Sequence, residues 1–94
     1  MNALPEGRAF ATSRVLCKDL GDEAVLLDLE TETYFGLNAA GSRMWTLLTT
    51  QPTVREAFTV MLEEYDVPPD ELERDMSALI EDLVGRGLLR TGRG

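Results

Sequence analysis

Around Asn38 the hydrophobic period of this chain changes. Before it, short clusters of β-branched and apolar residues are broken by turn residues, which is the pattern of strands. After it, apolar residues recur at helical spacing. An α+β architecture follows, with a three-stranded antiparallel sheet first and three helices second.

In the first half, Arg8 to Leu20 reads as a first strand and Gly21-Asp22 as a turn. Ala24 to Leu29 is a nearly continuous apolar run of strand length. After Glu30-Thr31-Glu32, Thr33, Phe35 and Leu37 alternate with Tyr34 and Gly36. A three-stranded meander is expected, and Thr33 to Leu37, as its last strand, would keep one edge of backbone N–H and C=O groups unpaired. An extended peptide can add to such an edge as a further strand. Gly36 marks either a bulge, a close backbone approach or a bend at the strand end.

In the second half, Asn38 is a good N-cap for a helix over Ala39 to Thr49, whose Ala40, Met44, Trp45, Leu47 and Leu48 cover a wide face. Thr53 with Glu56 three residues later forms a capping box. The helix it opens places Val54, Ala57, Phe58, Met61, Leu62 and Tyr65 on one stripe. Pro68-Pro69 pre-sets a third helix to about Gly85, with Gly87 placed to stop it and Leu88 and Leu89 folding back onto the core. The third helix carries Leu72, Met76, Leu79, Ile80, Leu83 and Val84 over an arc of about 140°, wider than the roughly 100° that one neighbour needs. Glu71, Asp75, Asp82 and Arg86 flank that arc on the Leu79 side. The excess width either packs against both sheet and helices or is left for a ligand.

Ninety-four residues suit a single domain, expected to span 1–94 with a core over about 8–89 and short flexible ends. No apolar run is long enough to cross a membrane and the N-terminus lacks a signal-peptide pattern, so a cytoplasmic protein is expected. Cys17 is the single cysteine and has no internal disulfide partner. The chain has no histidine, which removes the commonest general base and metal ligand. Cys17 therefore reads as a small packed strand residue, no zinc site can be assembled, and neither a Walker nor a dinucleotide motif is present. No cofactor, no metal and no catalysis are expected. The net charge is −8, and between Glu63 and Asp82 nine acids face one base. Bases are scattered, so nucleic acid is disfavoured as a partner. The acidic segment is either a solvated face or a guide for a basic partner.

The order Val25-Leu26-Leu27-Asp28, Thr33-Tyr34-Phe35-Gly36-Leu37-Asn38, Gly41, Met44-Trp45-Thr46-Leu47-Leu48 and Leu83-Val84-Gly85-Arg86-Gly87-Leu88-Leu89 resembles the PqqD family, also called the RiPP recognition element. The resemblance runs from about Leu16 to Leu89. It implies a winged-helix-like domain that binds the leader segment of a ribosomally made precursor peptide. In the family the leader pairs with the third strand and lies against the third helix. Carried over, Thr33, Tyr34, Phe35 and Gly36 would supply the backbone hydrogen bonds, and Leu72, Asp75, Leu79, Asp82 and Leu83 would line the facing wall. The Tyr-Phe-Gly-Leu-Asn run is similar to stand-alone members of lasso-peptide clusters, which implies delivery of the precursor to a leader-removing cysteine protease. The alternatives are a PqqD-like chaperone for a radical SAM peptide-modifying enzyme and a winged-helix DNA-binding regulator, the latter at odds with an acidic third helix.

Overall fold

The computed structural model describes residues 4–92. Along the chain the elements are β1 (Arg8–Ala11), β2 (Val15–Asp19), β3 (Ala24–Asp28), β4 (Thr33–Leu37), α1 (Ala39–Thr50), α2 (Val54–Glu64), α3 (Pro69–Gly85) and β5 (Leu89–Gly92). β2, β3 and β4 form an antiparallel sheet in that order, and β1 pairs antiparallel with β5 in a second, two-stranded sheet. The fold is α+β and winged-helix-like, with the three-stranded sheet preceding three helices.

The expected first strand, Arg8 to Leu20, is two strands in two different sheets. Thr12 breaks it. The Thr12 hydroxyl accepts the Arg14 N–H at 3.3 Å and donates to the Gly87 carbonyl at 2.7 Å, which turns the chain and anchors the turn to the far end of the sequence. β1 then finds its partner in β5, where Ala9 faces Thr91 and Ala11 faces Leu89. Of the expected flexible ends, residues 1–3 and 93–94 lie outside the described residues. Within them, Leu4 is buried and Arg90 to Gly92 belong to the β1–β5 ladder.

Helix ends follow their local chemistry. The Asn38 side chain accepts the Gly41 N–H at 2.8 Å, and the Thr53 hydroxyl accepts the Glu56 N–H at 3.1 Å. Pro69 opens α3, which ends in a left-handed turn at Gly87, φ +77°. There the Leu88 N–H reaches the Leu83 carbonyl and the Gly87 N–H reaches Val84, both at 3.0 Å, which satisfies the last carbonyls of the helix.

One face of the sheet meets the helices. Ala24 and Leu26 of β3 point inward, onto Met44, Trp45, Leu47 and Leu48 of α1 and the buried stripes of α2 and α3, with Leu88 and Leu89 closing the core from β5. Gly36 sits in unbroken register opposite Val25, so neither a bulge nor a bend occurs there.

Candidate functional site

β4 has β3 on one side and no strand on the other among the described residues. In an antiparallel edge strand alternate residues turn both N–H and C=O outward, so part of Thr33 to Gly36 offers unpaired backbone. Side chains alternate too. Thr33, Phe35 and Leu37 lie on the helix-facing side, with Phe35 half-buried and Leu37 buried, while Tyr34 and Gly36 lie on the open side. A Cβ on Gly36 would meet nothing within 4 Å, so packing within this chain does not demand glycine there.

The end of α3 stands across from β4. The Arg86 guanidinium lies 4.6 Å from the centroid of the Phe35 ring, and its Nε donates to Asp82 at 2.9 Å. Between Thr33, Tyr34 and Phe35 on one side and Arg14 and Arg86 on the other is a cavity of about 280 Å³. Arg14 is held at its base by Asp28, with Nη2 to Oδ2 at 2.9 Å and Nε to Oδ1 at 3.4 Å. The Arg14 guanidinium, joined by the backbone N–H groups of Glu30 and Thr31 and opposed by desolvation, lowers the Asp28 carboxyl from its ordinary 3.8 to about 2.

The five expected positions on α3 separate into two groups. Asp75 and Asp82 are exposed and Leu79 is half-buried against the core. Leu72 and Leu83, 4% and 0% exposed, do not line a wall; they are core. Both lie inside the apolar arc next to its Leu79 margin, and both belong to the buried hydrophobic cluster. The excess width of the arc shows at its two margins instead, as half-buried Leu79 and as Val84, 41% exposed, towards β5. Asp82 is committed to Arg86, whereas Asp75 has no ion-pair partner among the described residues.

Arg14 and Arg86 were not among the expected site residues. Arg86 had a signal, since it projects between Asp75 and Leu79 in helical angle. Arg14 had none, because its placement depends on Asp28 and on Gly87, both far along the chain. Cys17 is exposed on edge strand β2 rather than packed, since that strand keeps most of its residues at the surface. Desolvation, with Asp19 nearby, pushes its thiol up, so little thiolate forms. Among the described residues no group of three or more His, Cys, Asp or Glu could hold a metal ion, and no helix is long and apolar enough to cross a membrane.

The family model for coenzyme PQQ synthesis protein D (PqqD) matches residues 23–89. The chain belongs to the PqqD family. The PqqD match takes in β3, β4 and all three helices, hence both sides of the β4–α3 groove, and leaves Arg14 outside it. Two solved structures resemble this PqqD chain. TbiB1 in complex with the TbiA(beta) leader peptide is 35% identical, with a TM-score of 0.81 over 90% of this chain and 99% of that one. Lasso peptide synthetase B1 complexed with the leader peptide is 22% identical, with a TM-score of 0.78 over 88% and 98%, a likeness of fold. No curated protein sequence matches the chain.

Proposed function

We propose that this chain captures the leader segment of a ribosomally made precursor peptide as a strand added to β4, and presents it to a processing enzyme without turnover of its own. The carrying observation is an edge strand with open backbone beside a cavity that Arg86, at the end of α3, closes, in a chain 35% identical to a protein solved with a leader peptide. On this reading Thr33 to Gly36 supply backbone hydrogen bonds. Asp75, Leu79 and Asp82 form the facing wall, and Leu72 and Leu83 hold that wall in place from the core. The partner enzyme is a leader-removing cysteine protease of a lasso-peptide pathway, and the setting is the cytoplasm.

The absence of histidine supports a binding role rather than a catalytic one. An α3 with six acids and one base stands against a DNA-reading helix. The test is a titration of the chain with a synthetic leader from the neighbouring precursor gene, followed by backbone amide shifts. Saturable shifts centred on Thr33 to Leu37 and on the Asp75 to Arg86 side of α3 are expected. Shifts confined to other surfaces would sink the groove reading.

A further inference from the structure

The outer face of the three-stranded sheet, opposite the helices, is apolar and open. Register sets Leu16 of β2 beside Leu27 of β3, and Leu27 beside Tyr34 of β4, which makes one apolar row across the sheet. Leu16 is 55% and Tyr34 73% exposed, and Leu20 and Leu29 at the two ends of the sheet are exposed as well. A contiguous row of this kind on a small soluble chain marks a contact surface more often than a lone exposed leucine does.

Its rim is acidic. Asp19, Asp22 and Glu23 are exposed at one end of the sheet, Glu30 and Glu32 at the other, and Lys18 is the one base on its three strands. Two copies placed face to face would bring like charges together, so charge favours a partner with an apolar patch ringed by Lys or Arg. The row also ends at Tyr34, on the strand that takes the leader in the reading above. A peptide strand added there sends alternate side chains to the same outer face and lengthens the row by one member.

We propose that this outer face, completed by the bound leader, docks the leader-processing enzyme. The partner is thus identified by an apolar patch with a basic rim, and it reads Leu16, Leu27, Tyr34 and the leader's outward side chains together. The inference rests on leader capture at β4, so the two are measured separately. Leader affinity is read by fluorescence polarisation of the synthetic leader. Enzyme affinity is read on the leader-saturated chain with the protease encoded beside the precursor gene.

For Leu16→Glu, leader affinity is expected to stay within about twofold, because Leu16 lies on β2, two strands away from β4, while enzyme affinity falls at least tenfold. Leu16→Ser is the milder control for folding and should lose enzyme affinity in the same direction. Enzyme affinity unchanged in both variants overturns the proposal. So does a wild-type dimer in sedimentation that Leu16→Glu disperses, which would make a second copy the occupant. A wild-type chain that fails to bind the leader at all fails in the first measurement, and takes down the capture reading before the docking one.

Discussion

Arg86 stacks its guanidinium on the ring of Phe35, 4.6 Å from the centroid, and so bridges the end of α3 to the edge strand across the mouth of the groove. The same side chain holds Asp82 at 2.9 Å, so one residue covers an aromatic surface and neutralises an acid of the facing wall. On the proposed strand addition at β4, an incoming peptide meets both. Arg86→Ala uncovers Phe35 and frees Asp82, and its expected effects have opposite signs. Stability falls by about 1 kcal/mol or less, since the pair is half-exposed. Affinity for a leader carrying Lys or Arg rises a few-fold, as read by polarisation against denaturation midpoints on the same samples.

Strand addition at β4 is tested by a pair of prolines. In an antiparallel edge strand, neighbouring residues point their N–H groups in opposite directions, so of Tyr34 and Phe35 one donates towards β3 and the other outward. Tyr34→Pro and Phe35→Pro should therefore diverge. One loses folded structure by circular dichroism; the other keeps it and binds the leader at least tenfold more weakly. Wild-type affinity in the folded member of the pair would exclude backbone pairing at this strand.

Gly87 and Gly36 answer different needs. A Cβ on Gly87 would stand 2.8 Å from Arg14 Nη1, at a φ of +77°, whereas one on Gly36 meets nothing within 4 Å. Gly87→Ala should cost about 1 to 2 kcal/mol from the left-handed backbone alone, with displacement of Arg14 added. Gly36→Ala should leave the denaturation midpoint unchanged or slightly raised. A larger loss at Gly36 than at Gly87 would contradict this assignment.

The Arg14–Asp28 pair sets an acid limit. Asp28 titrates at about 2 in the folded chain against an ordinary 3.8, so the folded state favours its ionised form. A depressed carboxyl contributes stability that is complete above the unfolded value and is lost as pH falls through the folded one. Wild type should exceed Asp28→Asn in stability by a constant margin at neutral pH, and the margin should shrink between about pH 4 and pH 2. Denaturant titrations of both proteins across that range provide the check; a margin that stays constant to pH 2 would remove Asp28 from this role.

Asp75 and Asp82 differ in what they leave free. Asp82 faces Arg86 and Asp75 has no ion-pair partner among the described residues, so steering of a basic leader should fall mainly to Asp75. Asp75→Lys should slow association several-fold at low salt. The difference should vanish near 1 M salt, where the screening length is about 3 Å. Stopped-flow rates at two ionic strengths measure both, and equal on-rates at low salt would reduce Asp75 to a solvated surface charge.

Much of the fold was legible because its signals are local. Asn38, Thr53 and the Pro68-Pro69 pair each act on a backbone within a few residues, and all three helices begin where those residues place them. Edge strand β4 was legible as well, as the last member of a meander. The facing wall was only partly so. Periodicity assigns Leu72 and Leu83 to the apolar stripe, but depth within a stripe depends on what packs against it, and in this chain those two are sealed inside while Leu79 is left at the margin.

By itself, then, the sequence determined strands β3 and β4 and the three helices, where each helix starts, and that no histidine chemistry is available. Only the tertiary structure decided that residues 8–20 divide between two sheets, that β5 completes one of them, and that Arg14 and Arg86 meet at one end of the β4–α3 groove. These outcomes rest on partners remote in sequence, such as the Thr12 hydroxyl and the Gly87 carbonyl, 75 residues apart. Capping and periodicity act over one or two turns of chain, whereas such pairs form only once the hydrophobic core has brought both ends of the chain together.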